Sequence, residues 1–299
     1  MTTQIDVCIC TFRRTSILET LESISKQVLP ETVKVRVIVA DNDVVNSAEA
    51  LVKEASTRFN LEILYLHAPS RNISIARNAC LEAADREWVA FIDDDEVADP
   101  SWIHQLLAHS RDKDVVFGVS RAIYTPGSLE IFKRLDLHSN DLAKEKAIKS
   151  GYTSNVLIHL RFVRQHRLRF REELGQTGGE DTIFFLEAGM SGARMGFTSQ
   201  SIAYELVPAE RENWKWLLKR RFRAGQTYGF YLANLQKKSR LYVLMIGATK
   251  FLAILVMGIP RVFQVEARYL TLWRATLHLG VAAVAVSTKM LVLYGNNPK

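Results

Sequence analysis

Cysteine is scarce in this sequence of 299 residues, which has Cys8, Cys10 and Cys80 and no others. No two of them form a C-x-x-C pair, so the spacing typical of zinc and redox motifs is missing. The N-terminal residues also lack a basic stretch followed by a long apolar run, and no secretory signal is predicted from them. An odd number of cysteines without such a signal favours a reducing compartment. We therefore expect the chain to stay in the cytoplasm and its thiols to lie in strands or in the core.

Internal repeats and strong compositional bias are missing as well. Hydrophobic residues make up 48% of the chain and charged residues 24%, as in an ordinary globular protein, so long disordered stretches are not expected. The net charge of +7 is concentrated in one segment, because residues 211–240 hold nine basic residues and one acidic residue. Such a segment favours contact with phosphate groups, either of a ligand or of a membrane surface.

Residues 5–120 alternate short apolar runs with helical patterns, which is typical of βα units and a mainly parallel sheet. The predicted strands are Ile5–Cys10, Val33–Asp41, Leu61–Leu66 and Trp88–Ile92. The first predicted helix carries its apolar residues on one face up to Val28, and Ser16 and Glu19 at its start have the spacing of a capping box. The sequence therefore predicts an α/β fold.

Polar residues follow the predicted strands at the points where the strands end. They are Thr11, Asp41, the loop around Asn72 and the acidic run Asp93 to Glu96. The carboxyl ends of parallel strands meet at one edge of a sheet, and ligands bind there because loops converge and helix N-termini point there. We expect these four pieces of sequence to form one cleft.

The acidic run follows a buried apolar strand directly. Neighbouring ionised carboxylates repel each other, so the cluster needs either solvent or a cation. Oxygen ligands of this kind suit Mg²⁺ or Mn²⁺, which bind one or two protein carboxylates together with substrate phosphates. The alternative is that the acids only cap the helix that opens at Pro100. Asp99 before Pro100 is predicted to be the N-cap of that helix, which leaves the other acids free for a metal.

Two further motifs carry candidate chemistry. In "RNISIARNAC" a polar loop brings Asn72 and Arg77 to a helix start, a suitable partner for a diphosphate; the alternative is a surface helix with a solvated arginine. In "GGEDTIFF" two glycines precede an acidic pair that opens an apolar helix. One of these carboxylates is a candidate general base, and helix capping by Glu180 or Asp181 is the alternative.

Taken together, these motifs resemble the inverting nucleotide-sugar glycosyltransferases of family 2. The resemblance rests on "CICTFRR", "VIVADND", "NISIARN", "DDDE", "GGED" and "WLLKRRFRAGQT", which together cover residues 5 to about 228. It implies a GT-A fold, which is Rossmann-like, with a mainly parallel sheet and helices on both faces. Within the family the chain is most similar to bacterial exopolysaccharide enzymes of the succinoglycan glucosyltransferase type.

The resemblance also implies roles for individual residues. Thr11 and Asp41 would hold the nucleoside, with Asp41 on the uracil; Arg77 would hold the nucleotide, and Asp93 would lie near the ribose. Asp95 would bind the Mg²⁺ or Mn²⁺ ion. Asp181 would be the catalytic base. The other residues expected to bind the nucleotide sugar are Arg13, Asn72, Asp94, Arg220 and Arg223.

Two positions depart from the family pattern. Many relatives have a further metal-binding histidine where this chain has Glu205, which either replaces it or lies nearby. The Q-x-x-R-W signature of processive synthases is missing, so we expect transfer of a single sugar. On the basic helix from about residue 213 to 224, the alternatives to phosphate contact are a solvated face and a surface on anionic lipid.

The C-terminal residues from 241 form an apolar tail. Leu241–Ile259 is 19 residues long with one charge, Lys250, so its insertion into a bilayer is marginal. A second stretch, Ala275–Tyr294, follows a segment with three arginines. In a two-span hairpin these arginines would lie on the outer side of the membrane, against the positive-inside tendency. We predict two helices that lie in or dip into the cytoplasmic leaflet on anionic headgroups. The alternative is a soluble helical pair.

The predicted domains are a catalytic domain, 1–240, and a membrane-association segment, 241–299. The catalytic domain would consist of a nucleotide-binding half, 1–120, and an acceptor-binding half, 121–240. The predicted function is inverting, metal-dependent transfer of one sugar, with glucose expected, from a UDP-sugar to a lipid-linked saccharide at the cytoplasmic face of a bacterial plasma membrane. The alternatives are a nucleotidyltransferase that forms a nucleotide sugar and a non-enzymatic basic protein that binds lipid or nucleic acid. For the enzyme we expect no nucleic-acid partner.

Overall fold

The computed structural model describes residues 2–143, 145, 147–287 and 289–292. These residues form two compact units. The first unit comprises Met1–Ile123, Ser139–Gln176 and Glu180–Leu206, and the second comprises Tyr124–His138, Thr177–Gly179 and Val207–Lys299. The predicted division into 1–240 and 241–299 rests on the change in composition near residue 240, which these compact units do not test. It stays a prediction.

The first unit contains one mixed sheet of eight strands. The strands are β1 (Thr3–Thr11), β2 (Val33–Asp41), β3 (Ile63–His67), β4 (Trp88–Ile92), β5 (Glu96–Ala98), β6 (Val115–Ile123), β7 (Asn155–His159) and β8 (Met195–Leu206). Their order is β3-β2-β1-β4-β7-β6-β8-β5. Strands β3, β2, β1 and β4 run parallel, β7 is antiparallel to both its neighbours, β6 and β8 run parallel, and β5 is antiparallel to β8.

Ten α-helices are found among the described residues. They are α1 (Ile17–Ser25), α2 (Glu49–Arg58), α3 (Ile73–Ala83), α4 (Trp102–Ala108), α5 (Glu130–Leu135), α6 (Leu160–Gln165), α7 (Glu180–Met190), α8 (Trp214–Phe230), α9 (Arg240–Gly258) and α10 (Val265–Val286). Side chains alternate between the two faces of a strand, so each face of the sheet builds its own core. Val7 packs with Leu21 of α1 and Trp102 of α4, whereas Cys8 packs with Cys80 of α3 and Phe184 of α7. The predicted α/β architecture with helices on both faces is confirmed.

The predicted strands agree well with the observed ones, but the first helix differs from its prediction. Helix α1 ends at Ser25, and Val28 beyond it is 71% exposed instead of belonging to the apolar face. The predicted capping box is also wrong. Ser16 has helical backbone angles and makes no side-chain cap, because its hydroxyl donates a hydrogen bond of 2.9 Å to the backbone oxygen of Asp94.

Helix α4 begins two residues later than predicted, at Trp102 instead of Pro100. The Asp99 carboxylate accepts hydrogen bonds from the backbone N–H of Ser101 at 2.9 Å and from its hydroxyl at 2.8 Å. The acid therefore stabilises the turn before the helix rather than the helix end itself.

In the second unit, α10 packs closely against α8 and α9. A Cβ atom added to Gly225 of α8 would lie 1.9 Å from the backbone oxygen of Leu277, and one added to Gly280 of α10 would lie 2.0 Å from that of Phe222. Glycine at both positions lets the two backbones approach this closely. The second apolar helix begins at Val265, ten residues before the predicted start at Ala275. The last two residues of the predicted stretch, 293 and 294, lie outside the described part of the chain.

Candidate functional site

The acidic run lies at the carboxyl edge of the parallel strands, as the strand pattern predicts. Thr11 ends β1 and Asp41 ends β2, and the two residues are partners in the parallel ladder. Strand β4 pairs with the other side of β1, so the turn that follows Ile92 comes next to Thr11. The Thr11 hydroxyl donates a buried hydrogen bond of 2.7 Å to Oδ2 of Asp94.

Arg14 holds two members of the acidic run. Its Nη1 donates a hydrogen bond of 2.9 Å to Oδ1 of Asp94, and the same nitrogen forms an ion pair with Asp95. Asp94 is 6% exposed, and burial is the main cause that raises its pKa to about 6, with Asp95 and Asp93 adding to it against Arg14 and Thr11. Arg14 is not among the site residues predicted from the sequence, although it directly follows Arg13 after the first strand.

Arg77 of α3 is the centre of a second cluster of charges. Its guanidinium forms an ion pair with Glu180 of α7, lies 3.6 Å from Oδ1 of Asp93 and covers the Phe170 ring at 5.6 Å from the centroid. Burial lowers the pKa of Arg77, but Glu180, Asp93 and Asp181 raise it by more, so it lies above its ordinary value. Arg77 therefore remains a cation although only 8% of its side chain is exposed.

Glu96, the last member of the acidic run, faces the interior of the first unit. Its carboxylate accepts a hydrogen bond of 3.1 Å from the backbone N–H of Asp93 and another from the Ser120 hydroxyl. In the antiparallel pair of β5 and β8 it lies opposite Glu205. Burial raises the pKa of Glu96 well above its ordinary value, and Asp93 and Glu205 raise it further. Glu205 is thus close to the acidic run.

These residues suit a divalent cation in charge more than in geometry. The carboxylates of the acidic run, Glu180 and Asp181 outnumber Arg14 and Arg77, and mutual repulsion contributes to the raised pKa values of Asp94 and Glu96. Added positive charge would relieve this repulsion. No three of the described His, Cys, Asp and Glu side chains are arranged as ligands of one metal ion. Mg²⁺ and Mn²⁺ also bind through one or two carboxylates with water and phosphate completing the shell, and such a site needs no preformed cage.

The Asp41 carboxylate is already fully bonded within the protein. It is 0% exposed and accepts hydrogen bonds from the backbone N–H groups of Asp43 at 3.0 Å and Ala48 at 2.8 Å, and from the Tyr65 hydroxyl at 2.9 Å. Arg13 bonds to Asp43 through Nε at 2.6 Å, and this bond is the main cause of the lowered pKa of Asp43. Arg13 is placed beside Asp43 and Arg14 beside Asp94.

Asn72 and Asp181 lie at the starts of two helices. The Asn72 side chain accepts a hydrogen bond of 3.0 Å from the backbone N–H of Ser74 and donates one of 2.8 Å to the backbone oxygen of Glu172. Asp181 accepts a bond of 2.6 Å from the backbone N–H of Thr182 and remains partly exposed. The helix of Asp181 follows Gly178 and Gly179, whose φ angles of 84° and 87° lie in the left-handed region that glycine favours.

Arg220 and Arg223 belong to α8 in the second unit. Arg220 donates a hydrogen bond of 3.4 Å to the backbone oxygen of His138 and lies over the Trp216 ring at 5.5 Å from its centroid. Trp216 in turn stacks on His138 at 5.5 Å. The side of α8 near Trp216 is therefore engaged with residues 124–138, and the phosphate contact expected of the two arginines stays a prediction.

Comparison with known proteins identifies the family. Residues 6–192 match Glycosyl transferase family 2. The chain belongs to this family. It is 41% identical over 236 residues to the succinoglycan biosynthesis protein ExoM of Rhizobium meliloti (strain 1021), which covers 78% of this chain and 76% of ExoM. It is 26% identical over 198 residues to the putative glycosyltransferase EpsH of Bacillus subtilis (strain 168), which covers 63% of this chain and 54% of EpsH.

Solved structures confirm the fold of this glycosyltransferase. The mannosyltransferase PcManGT from Pyrobaculum calidifontis, in complex with GDP-Man and Mn²⁺, aligns with a TM-score of 0.66 and 17% identity over 97% of this chain and 88% of its own. S. aureus TarS 1-349 in complex with UDP aligns with a TM-score of 0.54 and 16% identity over 96% and 92% of the two chains. The predicted GT-A fold, the membership in family 2 and the similarity to succinoglycan enzymes are confirmed.

Three residues of this family 2 site were missed by the sequence analysis as site residues. Arg14 and Ser120 lie far along the chain from the carboxylates they bind, and no local pattern indicates such pairs. Glu180 was named as an acid of the "GGED" motif, but only its partner Asp181 was selected. Its ion pair with Arg77, 103 residues away, could not be read from spacing.

Proposed function

We propose that this glycosyltransferase transfers a single sugar, glucose, from a UDP-sugar to a lipid-linked saccharide in exopolysaccharide biosynthesis, with inversion at the anomeric carbon and with a divalent metal ion. The observation that carries the proposal is the convergence of Thr11, the acidic run, Arg77 and Asp181 in one unit with a GT-A fold. The 41% identity to a succinoglycan biosynthesis protein supports the pathway class. Membership in family 2 argues against both alternatives, a nucleotidyltransferase and a non-enzymatic binding protein.

The donor would bind at the carboxyl edge of the sheet. At the end of β2 the buried Asp41 carboxylate accepts a hydrogen bond from the half-buried Tyr65 hydroxyl, and we assign uracil recognition to this end of the sheet. Because the Asp41 oxygens already accept several hydrogen bonds, uracil recognition by this carboxylate requires at least one of these bonds to exchange. Asp93 would accept from the ribose, and Arg77 would attract the diphosphate electrostatically, since it stays charged behind Asp93.

Asp181 would act as the general base. It lies at the first turn of α7, close enough to Arg77 and Asp93 to influence the pKa of both. In an inverting transfer the acceptor hydroxyl loses its proton to a carboxylate as its oxygen attacks the anomeric carbon, and the bond to the UDP oxygen breaks on the opposite face. The Asp181 carboxylate is partly exposed and therefore suits this role better than Glu180, which is buried and held by Arg77.

A divalent cation held by Asp95, with Glu205 as a further candidate ligand, would supply positive charge to the diphosphate leaving group. Arg14 forms an ion pair with Asp95, so its guanidinium would have to move away from this carboxylate when the cation binds. Arg220 and Arg223 would add positive charge to the leaving group. The apolar tail would keep the enzyme at the cytoplasmic membrane surface, where a lipid-linked acceptor is found.

Calorimetric titration with UDP, GDP and dTDP, each with and without Mn²⁺, tests donor recognition. We expect binding of UDP that is preferential over the other two and that requires the metal. Preferential binding of GDP would refute the UDP assignment, and equal UDP binding without Mn²⁺ would refute the metal dependence. Absence of binding for all three nucleotides would overturn the donor site as a whole.

The role of Asp181 is tested by Asp181→Asn. We expect UDP binding to survive and sugar transfer to membrane acceptors to fall by about 100-fold or more, because the base is lost while the donor contacts remain. Asp112→Asn, which changes an acid whose side chain is 82% exposed, is the matched control and should keep both properties. If Asp181→Asn lost UDP binding as well, the residue would belong to the donor site and not to the base.

A further inference from the structure

Helix α9 presents a continuous apolar face away from the rest of the second unit. Successive residues of a helix are 100° apart, so residues spaced by three, four or seven positions share a face. The residues on the outward face are Leu241, Met245, Leu252, Val256 and, just beyond the helix, Ile259, each between 53% and 68% exposed. Thr249 lies on the same face, and its hydroxyl donates a hydrogen bond of 2.7 Å to the backbone oxygen of Met245. An exposed apolar face of this extent is unusual for a protein surface in water.

The lysine in the middle of α9 does not interrupt this face. Lys250 lies three positions after Gly247 and seven after Val243, the two buried residues of α9, and therefore shares their side of the helix. It acts electrostatically on His278 of α10, as does Arg221 of α8. The charge that makes insertion marginal in the sequence thus lies on the opposite side of the helix from the outward apolar face, although the lysine side chain is itself exposed.

Helix α10 has a different environment, although its length and composition also suit a membrane. It lies between two helices: Gly280 meets the backbone of α8 at Phe222, and Ala282 meets Gly247 of α9. Near its start Tyr269 stacks on Trp214 at 4.1 Å, and Glu266 forms a surface ion pair of 3.1 Å with Arg134 of α5. Because these polar and aromatic partners belong to the protein, α10 cannot leave them to enter lipid alone.

The charges around α9 favour an anionic surface. The sequence contains no acidic residue between Glu212 and Glu266. Exposed basic residues lie at both ends of the helix, namely Lys237 and Lys238 before it, Arg240 at its first position and Arg261 after it. An apolar helix face with a basic cluster at one end and an arginine at the other matches the boundary of acyl chains and anionic headgroups.

We propose that α9 is the lipid-binding helix of this protein, that it lies in the plane of an anionic membrane surface with its outward face among the acyl chains, and that α10 is a packing helix of the protein. This inference rests on the membrane location in the proposed function. Spanning is disfavoured, because α9 could cross a bilayer only with α10 and, through it, with α8, whose Arg221 and neighbouring basic residues would enter the hydrocarbon.

Vesicle flotation of the full chain with two matched pairs of substitutions tests the proposal. Leu241→Gln with Leu252→Gln changes two leucines of α9 that are 68% and 59% exposed, and Leu272→Gln with Leu279→Gln changes two of α10 that are both 46% exposed. We expect wild-type protein to float with vesicles that contain phosphatidylglycerol and less with phosphatidylcholine alone. The α9 pair should lower the partition coefficient roughly 10- to 100-fold, since two large apolar side chains lose their burial, and the α10 pair should leave it within about twofold.

Three results would overturn the proposal. Equal loss of flotation by the two pairs would place both helices in lipid. Failure of wild-type protein to float, with a dimer in analytical ultracentrifugation that the α9 pair dissociates, would assign the face to a second copy of the chain. If a membrane-impermeant label added outside a sealed vesicle reached residues at one end of α9 but not at the other, the helix would span the bilayer. Titration with UDP and Mn²⁺ reports the donor site separately, and we expect both pairs of variants to bind the nucleotide as wild type does.

Discussion

The charge cluster around Arg77 leads to a quantitative expectation for Arg77→Met. In the folded protein Arg77 and Glu180 form an ion pair with 8% and 6% of their side chains exposed, and Asp93 lies 3.6 Å from the same guanidinium. Methionine has a similar length and keeps the contact with the Phe170 ring, but it leaves Glu180 buried without its cation. The substitution therefore removes the charge with little change in packing.

Removing one partner of a buried ion pair costs about 3 to 5 kcal/mol, because the other charge stays desolvated. We expect Arg77→Met to lower the free energy of unfolding by this amount in a urea titration at pH 8. In the double variant with Glu180→Gln, most of the loss should be recovered, because the two residues act as one unit.

Arg58→Met is a suitable control, because Arg58 forms a surface ion pair with Glu54 of 3.7 Å and 61% of its side chain is exposed. Pairs of this kind contribute little to stability, so the control should unfold almost as wild type does. A loss below about 1 kcal/mol for Arg77→Met, or a loss that does not change when Glu180→Gln is added, would show that the cluster is solvated and that the burial argument is wrong.

Three further expectations follow from single contacts. Thr11→Val removes the donor to buried Asp94 and should cost about 1 to 3 kcal/mol in urea unfolding, whereas Thr11→Ser should not. Gly225→Ala should cost about 1 to 3 kcal/mol, since its Cβ would meet a backbone oxygen of α10 at 1.9 Å, and Gly127→Ala, which meets nothing within 4 Å, should be neutral. Burial lowers the pKa of His138 below its ordinary value of 6.5, so the stability conferred by its neutral ring is present above pH 6.5 and should be lost as the pH falls from 6.5 through the lower pKa of the folded state; His138→Gln should weaken this dependence in unfolding titrations.

The sheet could be predicted from the sequence because buried strands carry a strong local signal. The apolar runs of β2 and β4 are bounded by polar residues on both sides, and their observed ends, Asp41 and Ile92, are those of the prediction. The helix starts were harder to predict, because a cap competes with other partners. Ser16 had the correct spacing for a cap, but the turn of the acidic run offers its hydroxyl a backbone oxygen at 2.9 Å.

Sequence patterns selected the acidic run and Arg77 as candidates, but they indicated neither Arg14 nor the pairs that these charges form. Arg14 and Asp94 are 80 residues apart and meet only because β1 and β4 are neighbours in the sheet. The strand order decides such contacts, and periodicity does not report it. The length of α10 was underestimated for a related reason. Its first turns carry Arg268 and Arg274, which interrupt the apolar pattern although the packing against α8 and α9 keeps them helical.

The close contact between α8 and α10 also has a consequence for the order of folding during synthesis. Helix α8 is complete at Phe230, but Gly280, which meets its backbone at Phe222, is made 50 residues later. Until then the surface of α8 around Gly225 lacks its contact with α10, and a nascent chain exposes it together with the apolar residues of α9. Slow translation between Phe230 and Gly280 would prolong this exposure and increase the risk of aggregation. The translation rate of the α9 segment is therefore expected to influence the yield of folded protein.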